Sequence, residues 1–186
     1  MRKKWIALAL CMLVLEGGLA AAEEPASETV RMTEAFSFVY TRLPEGYTME
    51  TVEDESTEFR ARITTEEEGR PRMELLVRAY NPEWEGVRGW GEAPADYVAE
   101  VKESFYQETG KQEGEILFED TKTRLGTPVL IARAADGSLA AVYTNYLSHE
   151  IEIDLFQAPG GAPVVEEDLH GVIDFLGEVE FALREE

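Results

Sequence analysis

The side chains best equipped for chemistry in this 186-residue chain are two histidines, one cysteine and 38 carboxylates. Ser148-His149-Glu150 lines up three residue types of a hydrolase relay. Neighbours in an extended segment point to opposite faces of it, so these three cannot pass a proton among themselves. His170 stands beside Leu169 with no second histidine or cysteine at ligand spacing, which argues against zinc. A carboxylate pair for glycoside hydrolysis can be assembled on paper, but the pattern singles out no one pair. No D-x-[DN]-x-[DN]-G calcium loop occurs. Gly86, Gly89 and Gly91 do not follow the strand-to-helix fingerprint of a nucleotide site. The expectation is a chain that is not an enzyme, with no catalytic set, cofactor or metal site.

The stretch with most recognition character is Asn81-Pro82-Glu83-Trp84-Glu85-Gly86-Val87-Arg88-Gly89-Trp90-Gly91. Aromatic rings on a glycine-rich loop can stack on sugars, peptides or a partner's surface. Trp84, Arg88 and Trp90 are therefore the candidate partner-binding residues. The alternative is that both tryptophans fold back and cap the core beside Tyr80 and Tyr97. In either case Arg88 would stack on them or pair with Glu83 or Glu85.

Charge narrows the partners further. Lys and Arg number 17 against 38 carboxylates, a net of −21. Such a surface repels phosphate backbones and anionic headgroups, which excludes nucleic acid and anionic membrane surfaces. Hydrophobic residues still make up 44 %, enough for one domain with its own core. Residues 1–22 read as a secretory signal: Arg2, Lys3 and Lys4, an apolar run from Trp5 to Leu15, then Ala20-Ala21-Ala22 before cleavage. The exported domain, extracellular or periplasmic, then carries no cysteine and cannot be stapled by disulfides. Removing Arg2, Lys3, Lys4 and Glu16 leaves 14 positive and 37 negative side chains, a net of −23. No feature of the chain speaks to its oligomeric state.

The elements that must position any site follow from periodicity. Residues 23–34 are small and polar and read as a flexible leader, with a single domain over 35–186. Phe36, Phe38 and Tyr40 alternate as a strand, and Leu43-Pro44-Glu45-Gly46-Tyr47 turns the chain into another, Tyr47 to Val52. Phe59-Ala61-Ile63 and Met73-Leu75-Val77-Ala79 form a hairpin around Glu66-Glu67-Glu68-Gly69. Residues 93–109 switch to a helical period, with Val98, Val101 and Phe105 on one stripe and Gly110 to stop it. Ile116-Phe118, Val129 to Ala132, and Leu139 to Leu147 read as strands, the last two joined at Asp136-Gly137 with positive φ expected at both residues. Ile151, Ile153 and Leu155 oppose Glu150, Glu152 and Asp154 on a further strand, whose acidic face is expected to be at least partly wet. A second helix carries Leu169, Val172, Ile173 and Leu176, with Gly177 expected to close it, and Val179 and Phe181 suggest a short last strand. The fold class is α+β: a mainly antiparallel sheet of seven or eight strands with two helices. Apolar runs such as Leu75-Leu76-Val77 favour helices on opposite faces; the alternative puts both on one face and leaves the acidic strand face open to water.

The opening aromatic strand followed by Leu43-Pro44-Glu45-Gly46-Tyr47 resembles the "LPxGW" start of PsbP-like domains, with Tyr47 where that group more often has tryptophan. The group includes extrinsic photosystem II proteins, DcrB-type periplasmic lipoproteins and Mog-type Ran-binding proteins. The resemblance extends over residues 35–183 through the order of strands and helices. It implies an α/β/α sandwich with an antiparallel central sheet, and a binding or assembly role without a shared catalytic set. The functional expectation is a secreted, non-enzymatic binding or accessory module that engages a protein or cell-envelope partner. A carboxylate-dependent glycan hydrolase and a small-molecule carrier are the alternatives.

Overall fold

The computed structural model describes residues 28–31, 36–40, 43–54, 58–78, 90–146 and 148–183. Residues 1–22, expected to be a secretory signal, lie outside these residues. Seven strands form one antiparallel sheet: β3 (Tyr47–Asp54), β4 (Glu58–Thr65), β5 (Arg72–Arg78), β6 (Ile116–Lys122), β7 (Pro128–Ala134), β8 (Leu139–Tyr146) and β9 (His149–Phe156), in the spatial order β3-β4-β5-β9-β8-β7-β6. A separate antiparallel sheet joins β1 (Glu28–Arg31), β2 (Phe36–Tyr40) and β10 (Glu180–Leu183) in the order β1-β2-β10. Two helices, α1 (Ala95–Thr109) and α2 (Glu166–Glu178), complete an α+β fold.

Strand alternation sorts the large sheet into two faces. Ile63, Leu75, Ile153, Val142 and Ile131 share one face and pack against Leu169, Val172, Ile173, Phe175 and Leu176 of α2. The opposite face offers Leu130, Ala132, Ala141 and Tyr143, which pack with Val101 and Phe105 of α1 and with Trp90. The helices therefore do cover opposite faces. Phe59 and Phe105 are fully buried, one in each core. Each such side chain contributes about 1.5–3 kcal/mol by leaving water.

Helix boundaries follow local chemistry. Gly110 ends α1 in the left-handed conformation, as its position demands. At the start of α2 the Asp168 carboxylate accepts the Val165 N–H at 2.9 Å, half of a capping box, since Val165 has no oxygen to return the bond. Gly177 does not close α2, which runs on to Glu178. A Cβ there would sit 3.4 Å from the Thr123 Cβ, so the missing side chain lets the last turn of α2 lie close against the strand end rather than stop.

Three other expectations change. The leader contributes a strand, β1, because Thr29, Val30 and Arg31 pair across β2 with Val39, Phe38 and Ser37. The aromatic strand β2 joins the small sheet, and Tyr40 meets Phe175 of α2 edge-on at 5.9 Å. At the β7–β8 turn only Gly137 has positive φ (70°), and its N–H donates to the Ala134 carbonyl at 2.9 Å. That is a type I turn closed by a left-handed glycine, not a two-residue turn with both centres left-handed.

Gly137 is also where the turn meets the loop before α2. Its carbonyl accepts the Val164 N–H at 2.8 Å, and a Cβ would lie 2.6 Å from the Pro163 Cβ. Strain and overlap add, so Gly137→Ala is expected to lower stability by about 2–4 kcal/mol in urea unfolding.

Candidate functional site

Trp90 opens a 3-10 turn (Trp90–Glu92) immediately before α1 and is 4 % exposed. Its ring lies 6.0 Å from that of Tyr97 and 5.8 Å from that of Tyr143. It thus caps the core beneath α1, the second of the two roles open to it, and does not present its ring to a partner. Trp84 and Arg88 fall outside the described residues. Truncating Trp90 to alanine should cost about 3–5 kcal/mol in urea unfolding, as expected for a buried indole.

A charged row occupies the half of the sheet that α1 leaves uncovered. Register aligns Glu50, Arg62, Glu74 and Asp154 across β3, β4, β5 and β9, and the next row runs from Arg60 through Leu76 and Glu152 to Tyr143. The acidic face of β9 is partly wet, as expected at Glu150 and Asp154, which are half-buried, but Glu152 between them is only 6 % exposed. The reason is compensation. The Arg78 guanidinium binds Glu152 at 3.0 Å and also Glu150, and Tyr143 stands opposite Glu152 in register on the next strand. Burial holds the Tyr143 hydroxyl well above the usual phenol range. Burial, then repulsion from Glu152, Glu108 and Glu74, pushes the Asp154 carboxyl up to about 8. Glu150 is also raised, by burial first, with Arg78 opposing, and Glu108 of α1 is raised mainly by burial.

The sign of the pH dependence follows. Folded Asp154 keeps a proton that an unfolded aspartate gives up near about pH 4. Between there and about 8 the folded state binds the extra proton, so stability falls as pH rises through that window, by up to about 1.4 kcal/mol per unit. Asp154→Asn is expected to flatten this slope and to raise stability most at the alkaline end, read from urea midpoints across the window. Asp136 does not contribute there. Its hydrogen bond from Lys111 holds it far below the usual range, so what it adds is lost only as acid titrates it.

The other feature is a cleft where α2 fails to reach the sheet's last strands. It has a volume of about 700 Å³ between one flank of α2 and β6–β7. Ile131, Leu169 and Ile173 supply its apolar lining, with Leu117 at the outer side. Lys122, Arg124, Arg133 and His170 also border it, facing Glu119, Glu166 and Asp174. Arg124 is tied to Glu178 at 3.5 Å and His170 lies 3.8 Å from Glu166, whereas Lys122 and Arg133 have no ion pair among the described residues. Leu117 is 50 % exposed and Leu125, in the turn after β6, is 72 % exposed. Sequence reading passed over this region because its apolar residues look like ordinary strand and helix positions. The one available sign was a leucine at the turn Thr123–Thr127, where polar residues are the rule.

His149 is buried at the start of β9, paired in register with Tyr146. Among the described residues no group of three or more His, Asp or Glu side chains is arranged to hold a metal ion. No described helix is long and apolar enough to cross a membrane. Set against protein-family models, curated proteins and solved structures, the chain matches none of them.

Proposed function

We propose that the chain is an exported, non-enzymatic binding or accessory module that engages a protein partner along β6 and the neighbouring cleft. The observation that carries this reading is a sheet edge, β6, with no partner strand among the described residues, flanked by two exposed leucines, Leu117 and Leu125, and by a cleft of about 700 Å³. Exposed apolar side chains gathered beside a groove are the usual mark of an interaction surface. The signal-like pattern of residues 1–22 supports a reading outside the cytoplasm, and the PsbP-like pattern around Leu43-Pro44-Glu45-Gly46-Tyr47 supports a binding role by analogy.

A second reading draws on Asp154. A carboxyl pushed up to about 8 beside Glu152 on the same strand face has the proton affinity of a general acid, which suits a carboxylate-dependent glycan hydrolase. Against it, Glu152 is 6 % exposed and already engaged by Arg78, which leaves little access for a polymer. A small-molecule carrier is less well supported, because charged side chains line much of the cleft.

The binding reading is tested by placing a benzophenone amino acid at Leu117, with Glu68 at the β4–β5 hairpin tip as control, and irradiating cells that export the chain. One discrete adduct from position 117 and none from 68 is expected. Equal adducts from both positions, or none from 117, would overturn the reading. For the hydrolase reading, Glu152→Gln would have to abolish release of reducing ends from envelope glycan.

A further inference from the structure

We infer that β6 is a docking strand for an extended, lysine- or arginine-bearing protein segment, which adds to the sheet edge and is selected by Glu119 and Asp120. This rests on the binding reading above and names the partner's chemistry. The large sheet ends in two edges, β3 and β6, and they are built differently. The β3 edge is interrupted: its register with β4 shifts between Thr51 and Glu53. Such a bulge twists a strand and spoils it as a template. The β6 edge pairs with β7 without a break over seven residues, Ile116↔Ala134 to Lys122↔Pro128. Its outer row of backbone N–H and C=O groups has no partner strand among the described residues. A straight, unpaired edge is what an added strand requires.

The edge is also held rigid from behind. Phe118 meets Phe105 edge-on at 6.3 Å and Tyr106 at 5.7 Å, and the Lys102 ammonium sits 5.0 Å from its ring. Little ordering remains for a partner to impose on β6.

The charges on the strand decide who can pair. Glu119 and Asp120 are both exposed and have no ion pair among the described residues. As consecutive residues they point to opposite faces, one beside the α2 cleft and one on the α1 side. A second copy of this chain is a poor occupant. Two-fold pairing that keeps the sheet faces continuous and overlaps at least five residues of β6 is centred on Phe118, Glu119 or Asp120, and the last two centres bring Glu119 against Glu119 or Asp120 against Asp120. The register centred on Phe118 instead sets Leu117 against Glu119 and Ile116 against Asp120. Like charges opposite one another destabilise a pair, and a carboxylate opposite an apolar side chain gains nothing. A segment with a basic residue opposite each of Glu119 and Asp120, an apolar one opposite Leu117, and an acidic or neutral one opposite Lys122 meets all four positions. The chain's net charge of −21 steers the same class of partner toward it.

The test uses two synthetic seven-residue peptides of threonine and valine, one with two adjacent central lysines and one with two glutamates. Each is titrated into the mature, isotope-labelled chain at low salt while backbone amides are followed. The lysine peptide is expected to shift the amides of residues 116–122, protect them from hydrogen exchange, and bind about tenfold or more tightly than the glutamate peptide. The double variant Glu119→Lys, Asp120→Lys should reverse the preference; both residues are exposed, and an unchanged urea midpoint checks that it folds. Equal affinity for the two peptides, absence of binding by the lysine peptide, shifts that map away from β6, or no reversal in the variant would each overturn the inference. Those results leave the Leu117 crosslink standing, whereas loss of the crosslink removes the binding reading itself.

Discussion

The middle strand of the large sheet carries a carboxylate at every second position, and the rest of the architecture is arranged around that fact. β9 has three strands on either side of it. Ile151, Ile153 and Leu155 belong to the α2 core, so Glu150, Glu152 and Asp154 must emerge on the opposite face. A carboxylate left unpaired in such a place would cost several kcal/mol. Arg78, one strand away, answers Glu150 and Glu152, and Tyr143 stands opposite Glu152 on the other side. α1 can then bury only the apolar half of that face, over β6, β7 and β8. Tyr143 stands at the boundary, with its ring toward Trp90 and its hydroxyl toward the charges.

This division has a consequence for where a partner can be met. α1 takes the outer strands on one face, and α2 packs on the other with its flank short of β6. The final strand is therefore rigidly backed on one side and bordered by an open cleft on the other. At the far edge, the register shift in β3 makes the sheet a poor template. Of the two edges, only β6 combines regular geometry, exposed leucines nearby and uncompensated charge.

Much of the fold was legible along the chain because it is written in short-range periods. The alternation at Phe59-Ala61-Ile63, the helical stripe Val98-Val101-Phe105 and the stop at Gly110 each need only local geometry. The readings that changed all concern residues whose surroundings arrive from far away in sequence. Gly177 looks like a helix stop until Thr123 approaches it. Asp136-Gly137 looks like a two-residue turn until the loop at Pro163 and Val164 closes on it. Trp90, open in sequence to either a core or a partner role, is assigned to the core only once Tyr143 lies beside it.

The candidate surface was harder to foresee. An edge strand and a central strand share the same alternation, so nothing within Ile116 to Lys122 declares which one it is. The same holds for β9, whose acidic face reads as a solvated exterior. By itself the amino-acid order determined the class of fold, the two helices and the strand faces, since these depend on side-chain period. Only the tertiary structure decided that the acidic strand lies at the centre, that Trp90 is core, and that β6 is the regular open edge. Strand order in a sheet is set by contacts between residues distant in the chain, and no local period encodes it.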